Sequence, residues 1–284
     1  WCKGEDSVFK PGVKRGIMLT FIGLGLYDEK DISVKGREAV AAADRVYAEF
    51  YTSRLMGATL SRLEQFHQKK IHLLSRSQVE VETSWLEQAK DEDVAFLVGG
   101  DAMVSTTHLD LRLRAMRLGI KTRLIHSASI VTAVSGLSGL QNYRFGRSTT
   151  IPFPYLARGK RIVPETPYRV LQENLARNLH TMLFLDIQME PEERYMTAGQ
   201  GAALLLEMEG KAEEKLPPKV LGIGIARAGS DDSVIRADLL TRLKNCDLGG
   251  PLHILVVPAK LHFMEAEALR VLAAAPEDAF MGAD

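Results

Sequence analysis

Short apolar runs rich in β-branched and aromatic residues alternate along this chain with longer segments of helical period, and no other feature restricts the fold as tightly. The first half carries five such runs: LTFIGLG (19–25), RVYAEFY (45–51), KIHLLS (70–75), DVAFLVGGD (93–101) and TRLIHSAS (122–129). A short continuous apolar run reads as a strand buried on both faces, and strand–helix–strand repetition builds a mostly parallel sheet. The intervening segments ISVKGREAVAAA, TLSRLEQFHQ, SQVEVETSWLEQAK, TTHLDLRLRAMRLG and SIVTAVSGLSGL supply the helices, with Asp31 or Ser33 as the N-cap of the first.

The pattern lapses at STTIPFPYLARGKRIVPETP (148–167), whose four prolines disrupt both helix and central strand. It then resumes with helix PYRVLQENLARN, strand HTMLFLDI, helix TAGQGAALLLEMEG, strand KVLGIGIARA, helix VIRADLLTRLKN, strand HILVVP and helix HFMEAEALRVLAAA. A chain of 284 residues exceeds one average core, so the expected architecture is a pair of α/β domains with mostly parallel sheets. Residues 1–17 read as an N-terminal extension with Met18 a candidate natural start, 18–150 as an α/β domain with glycine-rich loops, 151–166 as a linker and 167–284 as a second α/β domain.

Composition removes several classes of function. Lys plus Arg (36) balance Asp plus Glu (36), so no global field draws the protein to nucleic acid or anionic lipid. No apolar run approaches the roughly 20 residues that span a bilayer, and WCKGEDSVFKPGVKRGI lacks the apolar centre of a signal peptide. Cys2 and Cys246 have no paired spacing, which fits a reducing, cytoplasmic setting. The seven histidines are scattered without metal-ligand spacing, so no metal is expected; His67 and His72 read as surface residues. GxSxG and GxxxxGK[ST] are both absent, which leaves acyl-enzyme and phosphate-loop chemistry without support.

Ligands of parallel sheets bind beyond the carboxyl ends of strands, and the glycines lie at such ends. GLG (23–25) does not complete GxGxxG, because Asp28 holds the sixth position; alone it serves either a ligand or a tight corner. GGDAMVSTTH (99–108) lets the backbone approach a ligand and offers the Asp101 carboxylate, with a helix cap as the plainer reading of that aspartate. HSASI (126–130) is a third strand-end turn, in which Ser129 either caps a helix or touches ligand. Glu49 reads as a solvent-facing carboxylate on an edge strand, and the Arg112, Arg114, Arg117 and Arg123 group as a solvated face that is also a candidate docking surface.

FIGLGLYDEKDISVKG, AEFYTS, GGDAMVSTTH, IHSASIVTAV with GLQNYRFG, LHTMLFLDI, RYMTAGQGAALLLE, ARAGS and PLHILVVPAKLH, in this order, resemble the diphthine synthase family. That family belongs to the tetrapyrrole methylase-like, class III S-adenosylmethionine-dependent methyltransferases, and the resemblance runs from Met18 to the C-terminus. It implies a homodimer with S-adenosyl-L-methionine in the interdomain cleft, leaving S-adenosyl-L-homocysteine as product. The implied substrate is the 3-amino-3-carboxypropyl-modified histidine of translation elongation factor 2, whose amino group is methylated to diphthine in diphthamide biosynthesis. Carried over by position, the cofactor contacts fall on Leu26, Asp101, Val104, Ser129, Ile130, Leu185, Ala228 and His253. The second loop departs from the family in lacking a proline after Asp101, and no side chain is assigned to acid–base catalysis. The rival readings are a corrin or porphyrin methyltransferase of the same fold and a non-catalytic binding module. Substitution of Asp101 by Ala is expected to weaken cofactor binding more than folding.

Overall fold

The computed structural model describes residues 17–189 and 192–280, so the N-terminal extension lies outside the described residues save for Ile17. The first half comprises β1 (Leu19–Gly23), α1 (Val34–Ala42), β2 (Arg45–Glu49), α2 (Leu60–His67), β3 (Ile71–Leu73), α3 (Arg76–Glu80), β4 (Val94–Val98), α4 (His108–Arg117), β5 (Thr122–Ile125) and α5 (Ile130–Ser138). Its five strands form a wholly parallel sheet in the order β3-β2-β4-β1-β5. Every residue of β1 and β4 is buried, as expected of central strands covered by helices on both faces. Phe21, Phe96 and Trp85 fill one side, and Ile22, Val46, Leu63 and Leu97 the other.

The second half comprises β6 (Thr149–Ile151), β7 (Tyr155–Ala157), β8 (Lys160–Ile162), α6 (Thr166–Ala176), β9 (Thr181–Leu185), β10 (Ile187–Gln188), β11 (Arg194–Tyr195), α7 (Ala198–Lys211), β12 (Leu221–Ala226), β13 (Val234–Leu239), α8 (Leu240–Leu243), β14 (His253–Val257) and α9 (Phe263–Ala273). Here the expectation of a mostly parallel sheet needs correction. The order is β13-β12-β14-β9-β6, and only the β6–β9 pair is parallel. The two-domain α/β class holds, but the second sheet is mixed. The proline-rich segment contributes Ile151 to it through β6, followed by the small antiparallel hairpin β7–β8.

Two helices expected from periodicity are otherwise built. VIRADL is a strand, β13, which pairs along its whole length with β12 from Leu221↔Leu239 to Ala226↔Val234. Alternation of Ile235, Ala237 and Leu239 with Arg236 and Asp238 fits a period of two as well as one of 3.6, and the long partner strand decides. SQVEVETSWLEQAK ends its α-helix at Glu80 and continues as a 3₁₀ segment, Thr83–Lys90. Val79, Val81 and Thr83 are stiff β-branched residues, and the Trp85 indole N–H donates to the Gln78 carbonyl at 3.0 Å, turning the chain back over the core.

His67 and Glu49 are both buried, against expectation. His67 closes α2 with 6% of its surface exposed and no hydrogen-bond partner for either ring nitrogen. Burial, reinforced by the Arg37 cation, pushes its pKa down to about 4, and nearby Glu29 opposes this only partly. His72, by contrast, is exposed.

In the unfolded chain a histidine titrates near 6.5, so below that pH the unfolded state binds the extra proton and the fold loses stability, up to about 1.4 kcal/mol per pH unit. His67→Phe removes this group. Denaturant unfolding at pH 7 and pH 5 is therefore expected to show the variant losing less stability than wild type, by at most about 2 kcal/mol. Equal losses would contradict the burial argument.

Candidate functional site

Four loops at the carboxyl ends of first-sheet strands meet, and main-chain contact holds two of them together. Gly25 and Gly100 form an isolated bridge in which the Gly100 N–H donates to the Gly25 carbonyl at 2.7 Å and the Gly25 N–H to the Gly100 carbonyl at 3.2 Å. A Cβ on Gly23 would stand 2.5 Å from the Gly100 carbonyl oxygen, and one on Gly25 only 2.3 Å from the Asp31 Cβ. Gly25 also has φ +89°, a conformation L side chains rarely adopt. GLG is thus required by the packing of one loop on another.

Carboxylates fix the rest. Asp31 Oδ2 accepts from the N–H groups of Leu26, Tyr27 and Asp28 at 3.2, 2.6 and 3.3 Å, which is why the turn after GLG is acidic. Asp101, which is buried, takes the Met103 N–H on Oδ1 at 3.0 Å and, on Oδ2, His126 Nδ1 at 2.8 Å and the Ser127 N–H at 3.3 Å. It therefore clasps the second loop to the third. Ser129 caps α5 by accepting from the Val131 N–H.

The fourth loop, AEFYTS, was missed as a site element, and Glu49 is the reason it is ordered. Strand β2 lies between β3 and β4, so it is not an edge strand, and Glu49 is fully buried. Its carboxylate accepts the N–H groups of Tyr51 and Thr52, each at 3.0 Å, and the Thr52 hydroxyl; His108 Nε2 lies 3.3 Å away. Burial raises the Glu49 pKa and lowers that of His108. The rule that strand ends carry ligand loops applied to AEFYTS as much as to its neighbours, and it was the signal available.

These loops face the second sheet across a cleft of about 550 Å³, within the range of small-molecule sites. From the second half come Leu185 at the end of β9, Ala228 after β12 and His253 opening β14. Helix α7 crowds against Leu185 because Gly201 has no side chain: a Cβ there would lie 2.6 Å from Leu185 Cδ2. Gly229, φ +93°, lets the β12 loop reach the first domain, where a Cβ would stand 2.7 Å from Leu26 Cβ. The His253 ring is committed: Nδ1 accepts from the Ala198 N–H at 3.1 Å, and Nε2 faces the Gly249 and Gly250 carbonyls at 3.1 and 2.9 Å. Burial lowers its pKa, so the ring is neutral and neither nitrogen is left to bind a ligand.

All eight positions singled out in the sequence, Leu26, Asp101, Val104, Ser129, Ile130, Leu185, Ala228 and His253, line this one cleft. Sequence reasoning overlooked Tyr51, Thr52, Arg76, Glu80 and Thr107 at one end and Asp186 and Tyr195 on the second-domain side. Arg54 ties the walls together, pairing with Glu193 at 2.6 Å and donating to the Tyr195 hydroxyl at 3.3 Å. Among the described residues, no group of three or more His, Cys, Asp or Glu is placed to hold a metal ion.

A chain with glycine loops at the carboxyl ends of a parallel sheet, facing a mixed sheet across one cleft, matches the family model of tetrapyrrole (corrin/porphyrin) methylases over residues 18–242, and it belongs to that family of methyltransferases. Similar chains narrow the class. It is 60% identical to the diphthine synthase of Methanosarcina acetivorans over 260 residues, 91% of this chain and 97% of that one. It is 49% identical to the diphthine synthase of Halobacterium salinarum, covering 92% and 100% of the two chains. A crystal structure of a diphthine synthase superposes with a TM-score of 0.82 at 46% identity, over 92% of this chain and 98% of the other. Within the methylases, this chain is a member of the diphthine synthase family.

Gly25 and Gly100 allow a comparison of backbone strain with steric clash. Both have positive φ, but a Cβ at Gly100 meets nothing within 4 Å whereas one at Gly25 strikes Asp31. Alanine at either position adds about 1 kcal/mol of left-handed strain. We expect Gly25→Ala to destabilise by at least about 1 kcal/mol more than Gly100→Ala in chemical denaturation; equal effects would show that the Asp31 turn yields freely.

Proposed function

We propose that the cleft binds S-adenosyl-L-methionine and that the enzyme methylates the amino group of the 3-amino-3-carboxypropyl-modified histidine of elongation factor 2, the step that gives diphthine. The observation that carries the cofactor assignment is the convergence of eight separate positions from six loops or strand ends on one cleft. The substrate assignment rests on membership in the diphthine synthase family. A corrin or porphyrin substrate is disfavoured by that similarity, and a non-catalytic module by membership in a family of methyltransferases.

The residues suit the cofactor. Leu26, Val104, Ile130 and Leu185 offer an apolar wall for adenosine and a thioether, while Gly23, Gly25 and Gly100 allow main-chain approach without a phosphate to cradle. When bound, S-adenosyl-L-methionine supplies a methyl group on an electrophilic sulfonium. The chain's part is to position the acceptor amine in line and to exclude water. An alkyl amine deprotonates more readily in a dry pocket, since burial disfavours its charged form. We therefore assign no side chain as base. Asp101, with both oxygens engaged by loop groups, acts by holding the second and third loops in register. As part of this reading, the enzyme is a cytoplasmic homodimer; among the described residues, no helix is long and apolar enough to cross a membrane.

Labelled methyl transfer from S-adenosyl-L-methionine is expected to elongation factor 2 carrying the precursor side chain and not to the unmodified factor, with mass spectrometry of the histidine peptide counting the methyls. Transfer to neither would end the proposal. By calorimetry Asp101→Ala is expected to lose at least about tenfold in cofactor affinity, because the second and third loops lose the clasp between them; unchanged affinity would show that the loops keep their shape without it.

A further inference from the structure

The end of the cleft beyond the second loop is chemically unlike the rest. It is lined by Tyr51, Thr52, Arg76, Glu80, Thr106 and Thr107, and none of these belongs to the eight cofactor positions. Arg76 and Glu80 stand one turn apart on α3, with Arg76 Nε 3.2 Å from Glu80 Oε1. The guanidinium also lies 5.5 Å from the centre of the Tyr51 ring, so an aromatic face sets its position. The Thr107 hydroxyl donates to Glu80 Oε1 at 3.3 Å, tying the pair to the loop that carries Asp101 and Val104. The Tyr51 hydroxyl is buried and makes no well-formed hydrogen bond. Its backbone N–H is fixed from behind by buried Glu49, so this wall is anchored while its charged groups remain in reach of solvent.

We infer that Arg76 and Glu80 read the α-amino-acid end of the acceptor, the guanidinium taking its carboxylate and the Glu80 carboxylate facing its nitrogen, which arrives as an ammonium and releases a proton to solvent at this open wall before each transfer. This rests on the function proposed above. An amino-acid zwitterion carries its two charges on groups attached to the same carbon, and the pair presents the opposite two charges 3.2 Å apart. Exchanging Arg76–Glu80 for Arg76–carboxylate and Glu80–ammonium replaces charge with charge, so the wall remains neutral. The exchange is inexpensive because the pair is solvated: the Arg76 side chain is 71% exposed and that of Glu80 32%, and exposed pairs hold each other weakly. A phosphate or other dianion would meet one cation beside a carboxylate and is disfavoured there. Planar guanidinium suits a carboxylate in a way an ammonium does not. As methyl groups replace N–H bonds on the acceptor nitrogen, the hydrogen bond to Glu80 gives way to attraction by charge alone.

The test uses the full-length enzyme, elongation factor 2 carrying the aminocarboxypropyl histidine, and the same factor with the tail carboxylate converted to carboxamide. Arg76→Ala is expected to raise KM for the factor about tenfold or more, in line with one charge-assisted hydrogen bond. It should leave kcat within a few-fold and cofactor affinity by calorimetry unchanged. Arg76→Lys should restore part of the loss. Wild type should disfavour the carboxamide to a similar extent, and Arg76→Ala should no longer distinguish it from the acid. Thermal unfolding of the variant near the wild-type midpoint confirms that it folds, as expected for so exposed a side chain. An unchanged KM, a retained preference for the acid, or an equal loss of cofactor affinity would overturn the inference. Absence of methyl transfer by wild type would overturn the function on which it stands.

Discussion

The pair of hydrogen bonds between the Gly25 and Gly100 main chains is the constraint on which the site depends. Loops after neighbouring strands of a parallel sheet have no ladder to hold them, and their free N–H groups must find partners. Here two loops bond each other, and buried or half-buried carboxylates satisfy the remaining amides: Asp31 three, Asp101 two, Glu49 two. Each carboxylate satisfies main-chain N–H groups that water would otherwise have to solvate in the turn. The strand-end rim becomes a rigid surface before any ligand arrives, which lowers the ordering cost of binding.

The second domain supplies the opposite wall by a different device. Its mixed sheet carries β9 and β14 side by side with opposite directions, so the end of β9 and the start of β14 fall at the same edge. That antiparallel pairing brings Leu185 and His253 together although they are far apart in sequence. Glycines again decide how close the pieces come: Gly201 admits Leu185 to α7, and Gly229 admits the β12 loop to Leu26. A separate buried network away from the cleft ties the segment after α5 to this half. Glu265 accepts from the Gln141 and His262 N–H groups at 3.0 and 2.8 Å, from Arg144, and from His180 Nε2 at 2.9 Å. Burial alone would raise the Glu265 pKa, but these donors outweigh it and hold it below the usual carboxylate range.

The first domain was legible because its information is local. Apolar runs without alternation, glycines at their ends and a helix after each specify a parallel sheet almost residue by residue, and the likeness to a known family located the cleft positions. What the sequence hid depended on neighbours distant in the chain. Glu49 looked like a solvent carboxylate because nothing in RVYAEFY reveals that β3 and β4 flank it. His67 sits in a charged segment, and its burial follows from how α2 packs, a tertiary matter. The helical reading of VIRADL failed for the same reason, since β12 and not the segment itself selects the strand. Charge patterning could not reveal Arg76 and Glu80 as cleft residues, because an i,i+4 ion pair is the ordinary decoration of an exposed helix.

The two ends of the cleft differ in a way that fits the division between cofactor and acceptor. Around the eight positions the polar groups Asp101, Ser129 and His253 are already partnered, so they provide shape, and Leu26, Val104, Ile130 and Leu185 present apolar surface. On the acceptor side the charged groups are paired with each other yet solvated, and the wall is open. A macromolecule carrying the reactive group on a side chain can seal the opening with its own surface, strengthening every charge interaction beneath it as water leaves. On the function proposed above, the asymmetry of the cleft suits an enzyme that acts on a residue presented by another protein.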